Sequence, residues 1–106
     1  MTNITLHYRN GNIVGVQAAG HTGYAAAGAD IVCASVSALV QAAANGAVKY
    51  AQAATEVKDG ALTLKIATPN KESGAILETM RMGLEDMQKT YPRHIKIRSV
   101  KEHDSH

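Results

Sequence analysis

A chain of 106 residues, 45% apolar and 19% charged, holds enough for one hydrophobic core and too little for two. Its formal net charge of +2 is too small to imply nucleic-acid binding by itself, and without tryptophan or phenylalanine it supplies a poor stacking platform for single-stranded RNA. With no apolar run read as membrane-spanning and no signal-peptide order at its start, it is expected to be a cytoplasmic domain over residues 1–100, followed by the polar tail "KEHDSH" at 101–106.

Residues 3–8, "NITLHY", alternate with Ile4, Leu6 and Tyr8 on one side, and Asn10-Gly11 marks a tight hairpin turn. Residues 12–19 form the second arm, with Val14, Val16 and Ala18 on one face, and run directly into Gly20 and His21, so the histidine stands at a strand end. From Gly20 to Ala29 glycine and alanine dominate and no bulky aliphatic residue occurs, which is the composition of a mobile loop. From Asp30 the apolar period becomes helical: Ile31, Val32, Val36, Leu39, Val40, Ala43 and Ala47 form a stripe on a helix of about five turns. Asp30 is the expected N-cap, its carboxylate accepting the otherwise unpaired amide of Val32 or Cys33. Ala42, Ala43, Ala44 and Ala47 leave room for close approach, either by another element of the chain or by a second subunit, so a homodimer is one expectation.

A second hairpin is expected around Asp59-Gly60, with arms at 55–58 and 61–67 and Leu62, Leu64 and Ile66 alternating on the second. Pro69 ends that strand. Asn70 or Ser73 can cap a second helix, whose Ile76, Leu77, Met80, Leu84, Met87 and Tyr91 repeat at helical spacing until Pro92 stops it. Residues 94–99, "HIKIRS", alternate as a final strand with Ile95 and Ile97 inward. Arg93, His94, Lys96, Arg98 and Lys101 make a basic C-terminal edge, which either protects a terminal strand from aggregation or attracts nucleic acid. The element order predicts an α+β fold: a mainly antiparallel sheet of about five strands with two helices packed on one face.

The single cysteine, Cys33, can form no internal disulfide and has no cysteine partner for a zinc site. It is either a small buried hydrophobe or a reactive group. With Asp30 as N-cap it falls in the first helical turn, where unpaired amides and the positive end of the macrodipole favour a thiolate. His21 stands twelve residues earlier, a spacing that neither forces nor forbids contact with the thiol. In contact, the imidazole can take the thiol proton and return it to a leaving amine. Ser37, four residues after Cys33, falls on the same helix face, and Tyr24 can donate a hydrogen bond, cover the site or anchor the loop.

The segment "GHTGYAAAGADIVCASVSAL" resembles the signature of the bacterial ribosomal-processing cysteine protease family, Prp: a Gly-His pair, a tyrosine, a glycine, then Asp-Ile-Val-Cys followed by small residues and a serine. The chain is also similar to that family in length and element order. The resemblance implies cytoplasmic endoproteolysis that removes a short N-terminal extension from large-subunit ribosomal protein twenty-seven. It implies Cys33 as nucleophile and His21 as general base, with Gly20, Asp30 and Ser37 at further motif positions. No metal or cofactor is called for. Attack on a peptide carbonyl needs an oxyanion stabiliser, for which amides of the first helical turn, that of Cys33 included, are the expected donors. The loop from Gly20 to Ala29 is then expected to act as a lid over the pair. Two readings from other classes compete: a noncatalytic ribosome-assembly or RNA-binding factor, whose RNA affinity would survive loss of Cys33, and a thiol redox sensor, which would not require His21.

Overall fold

Both dipeptide turns close hairpins. Asn10 and Gly11 adopt φ values of 53° and 80°, and Asp59 and Gly60 of 52° and 77°, the paired positive values that match a two-residue turn to the twist of its strands. In the computed structural model, which describes residues 1–20 and 29–102 and gives only the backbone path at Ala29 and Asp30, the first hairpin joins β1 (Thr2–Arg9) to β2 (Asn12–Ala19). Helix α1 (Ala29–Tyr50) leads to the second hairpin, β3 (Gln52–Lys58) and β4 (Ala61–Thr68), and helix α2 (Lys71–Thr90) returns the chain to β5 (Ile95–Lys101).

The strands form one sheet in the order β3-β4-β2-β1-β5. Every neighbouring pair is antiparallel except β1 and β5, which run parallel. The two helices make this order possible. Each is a crossover that carries the chain over one face of the sheet, and there they pack against each other and against inward side chains such as Ile4, Leu6, Val16, Leu64 and Ile95. The expected α+β architecture, five strands with two helices on one face, is therefore the observed one.

Several local expectations are corrected. In β2 the alternation breaks, because Tyr8 pairs with Ile13 while His7 pairs with Gly15, leaving Val14 as an extra residue in a bulge. Ile13 and Val16 join the core cluster and Val14, although buried, does not, so Val14 and Val16 do not share a face as their spacing suggested. Ile31, placed in the apolar stripe of α1, is 63% exposed; Val32, Val36, Val40, Ala43, Ala44 and Ala47 form the buried face. Residues 31–50 are also long and apolar enough to cross a membrane by composition, with a mean hydropathy of 1.6, so the expectation that no such run exists was mistaken. The run is a core helix: Val32, Val36, Val40, Ala43, Ala44 and Ala47 on its buried face join the core cluster with residues of the sheet and α2. The small residues serve that packing, since a Cβ on Gly46 would stand 3.2 Å from Ile76 and one on Gly83 2.9 Å from Leu39.

Helix α2 begins as its sequence suggests. Asn70 is the N-cap, its Oδ1 accepting from the Ser73 amide at 2.8 Å, and the Ser73 hydroxyl oxygen accepts from the Asn70 amide at 3.0 Å. The two candidate caps are thus the two halves of one capping box. At the C-terminus β5 continues through Lys101, and the Glu102 amide donates to the Tyr8 carbonyl at 2.7 Å, so ordered pairing extends past residue 100 into the expected tail.

Candidate active site

The functional geometry is assembled from three chain segments that the sheet order brings to one end of α1. The first is the start of β1, where the Thr2 amide donates to the His94 carbonyl at 2.9 Å and Thr2 pairs with Ile95. The second is the end of β2, where Asn3 pairs with Ala19 and the chain reaches Gly20. The third is the β3–β4 hairpin, whose Val57 pairs with Leu62 while Leu62 pairs with Ala18 of β2. Between these segments and α1 lies a cavity of about 190 Å³, lined by Cys33, Val36, Ser37 and Val40 on the helix side and by Thr2 and Leu62 among others on the sheet side.

Cys33 is half-buried, so its thiol is reachable from this cavity without being loose on the surface. Its Sγ lies 3.5 Å from the Thr2 hydroxyl oxygen, and Thr2 is only 6% exposed. Ser37 lines the same cavity one helical turn beyond Cys33 and is exposed to solvent, as the four-residue spacing predicts. Val57, at the rim, is 66% exposed. Among the described lining residues Cys33 carries the one titratable side chain; the walls are otherwise aliphatic or neutral polar.

Gly20 explains the first half of the Gly-His pair. Its φ is +88°, and a Cβ built there would stand 2.5 Å from the Met1 carbonyl oxygen. Both the backbone conformation and the space exclude a side chain, so glycine is what lets β2 turn away beside the start of β1 and direct the chain into His21. His21 and Tyr24 lie outside the described residues, as does the stretch 21–28 of the expected lid.

Asp30 does not occupy the expected N-cap position. The helix already includes Ala29, a strong helix former, so Asp30 lies inside the first described turn. Cys33 is then the fifth described helical residue, and the i to i−4 pattern of an α-helix assigns its amide to the Ala29 carbonyl. The Cys33 amide is therefore spent within the helix and is not the oxyanion donor expected from the sequence; unpaired amides of this helix lie nearer its start. The macrodipole still points its positive end toward the thiol, with a weaker effect past the first turn.

Thr2 was missed by sequence reasoning, which began the strand at residue 3. A signal was present: extending the alternation of Ile4, Leu6 and Tyr8 back by two places puts a hydroxyl in an otherwise apolar inward row. Such a group is costly to bury unless it finds a partner.

The description "Cysteine protease Prp" belongs to the family model that matches residues 1–96. No curated protein matches the chain. Among solved structures, an essential ribosomal processing protease Prp from S. aureus in complex with a substrate peptide superposes with a TM-score of 0.85 at 24% identity, covering 94% of this chain and 100% of that one. The S. aureus protease with a covalently linked product peptide gives 0.78 at 24% identity, covering 94% and 100%. SMU.848 from Streptococcus mutans gives 0.81 at 22% identity, covering 96% of each chain. At these identities the superpositions establish a shared fold.

Proposed function

The chain belongs to the Prp cysteine protease family, and from that premise we propose that it trims the N-terminal extension of large-subunit ribosomal protein twenty-seven, with Cys33 as nucleophile and His21 as general base. The observation that carries this reading is the placement of the chain's one thiol, half-buried in the wall of a cavity formed where β1, β2 and the β3–β4 hairpin meet α1. An extended substrate segment threading this cavity would bring a peptide carbonyl to Sγ, with aliphatic walls to receive neighbouring side chains. The S. aureus relative supports the substrate class, being a ribosomal processing protease seen with a substrate peptide.

The chemistry follows from the residue types. His21 takes the thiol proton, and Sγ attacks the carbonyl carbon so that an S–C bond forms. As the tetrahedral species collapses, the C–N bond breaks and the imidazolium returns its proton to the departing amine. Water, deprotonated by the same imidazole, then hydrolyses the thioester and restores the thiol. The proposed setting is the cytoplasm and the proposed assembly a homodimer.

The test is to incubate the purified protein with the extended ribosomal protein and follow both by mass spectrometry. One cut is expected, releasing a short N-terminal peptide and leaving the rest of the substrate intact. An extended protein that stays whole through prolonged incubation with reduced, folded enzyme would reject the substrate assignment. Reversible oxidation of Cys33 without peptide turnover would favour a thiol sensor instead.

A further inference from the structure

We infer that Thr2 is a positioning residue for the nucleophile, its hydroxyl donating to the Cys33 sulfur and holding it as a thiolate aimed into the cavity. The inference rests on the protease reading above for its functional meaning, but its physical content concerns the thiol itself.

Thr2 occupies an inward position in the row continued by Ile4 and Leu6, both fully buried, and is itself 6% exposed. Burying a hydroxyl in such a row without a hydrogen bond is unfavourable. Among the described residues its partner is Cys33 Sγ, at 3.5 Å, within the range for a hydrogen bond to sulfur. While the thiol is protonated, either atom can donate. Once the proton has left, the sulfur can only accept, so the hydroxyl becomes the donor and the contact strengthens. The contact therefore favours the ionised, attacking form over the resting thiol.

The carrier of that hydroxyl is rigid. The amide of Thr2 is tied to the His94 carbonyl at 2.9 Å, and the next residue, Asn3, pairs with both Ala19 of β2 and Lys96 of β5. The Met1 carbonyl packs against Gly20, immediately before His21. The first residues of β1 thus brace the nucleophile on one side and the exit toward the proposed base on the other. Charge cannot substitute for the hydroxyl on the walls described: β1 contributes Thr2, β2 contributes Ala18, Ala19 and Gly20, and the β3–β4 hairpin contributes Val57, Gly60, Ala61 and Leu62, none of them titratable.

Two substitutions separate this role from simple packing. Thr2→Val keeps the shape and removes the donor; Thr2→Ser keeps the donor and removes a methyl group. Alkylation of Cys33 by iodoacetamide is measured across pH for both, beside thermal unfolding and the kcat and KM for the extended substrate. Thr2→Val is expected to alkylate about threefold to tenfold more slowly near neutral pH, with its profile displaced upward by about half a unit to one unit. Its kcat is expected to fall with KM little changed, while its melting temperature is preserved. Thr2→Ser is expected to retain the wild-type profile and most of kcat despite a lower melting temperature. Unchanged alkylation in Thr2→Val, or a larger loss in Thr2→Ser than in Thr2→Val, would overturn the inference. Absence of peptide cleavage by the wild-type protein would reject the protease reading alone, because the alkylation series would still decide the role of Thr2.

Discussion

Cys33→Ala is expected to reduce processing of the extended substrate by at least about a thousandfold while the protein stays folded. The loss follows from removal of the sulfur that forms the covalent bond to the substrate carbonyl in the proposed chemistry. Residual turnover would have to come from water, without an activated nucleophile. The structural cost is small, since Cys33 is half-buried and alanine suits a helix. It is not zero: alanine strips the Thr2 hydroxyl of its described partner, a penalty of about 1 kcal/mol or somewhat more. Cys33→Ser should be equally inactive, a hydroxyl being a far weaker nucleophile at neutral pH, yet more stable than Cys33→Ala because it offers Thr2 an oxygen. Urea unfolding and a processing assay on both variants check the two halves of this expectation. Wild-type turnover in either would remove Cys33 from the mechanism.

Gly20→Ala is expected to be the most damaging substitution outside the reacting groups. Two costs coincide there: a φ of +88°, which alanine adopts with strain, and a Cβ position 2.5 Å from the Met1 carbonyl oxygen. Because the clashing atom belongs to the backbone, relief must come from moving either the start of β1, which carries Thr2, or the end of β2, which directs the chain into His21. The expected loss of stability is about 1–3 kcal/mol, with turnover reduced more than about tenfold because both sides of the site shift. Gly11→Ala is the control. It has a similar φ of +80° with no atom within 4 Å of the added Cβ, at the far turn of the same hairpin. It should lose about 1 kcal/mol and retain full turnover. Equal effects of the two substitutions on kcat would show that Gly20 is a turn residue and nothing more.

The parts of this protein legible in the sequence are those governed by local chemistry. Paired positive-φ turns at Asn10-Gly11 and Asp59-Gly60, the capping box at Asn70 and Ser73, and the helical periods of α1 and α2 follow from residue type and spacing, and they suffice for the α+β architecture. What escaped depends on partners distant in sequence. The bulge at Val14 is a property of how β2 pairs with β1, and alternation along β2 alone cannot reveal it. Gln52 to Ala54 belong to β3 because β4 pairs with them; their own composition carries no strand signal. At the site, Cys33 and Ser37 share a cavity as their spacing implies. The role of Asp30 was misread because Ala29 extends the helix before it. The role of Thr2 rests on its contact with Cys33, 31 residues further along the chain, which no local pattern encodes.

The central claim, that Cys33 attacks the substrate carbonyl, is tested most directly by trapping the bond it forms. A peptide matching the extension to be released, with an activated ester at its C-terminus, acylates a cysteine nucleophile faster than water can deacylate it. Rapid acid quench followed by intact-mass and peptide mapping should then show a burst of leaving group equal to the enzyme present, and a thioester adduct on the fragment containing Cys33. Steady turnover of the activated peptide with no adduct on Cys33, or with the acyl group on another residue, would contradict the account.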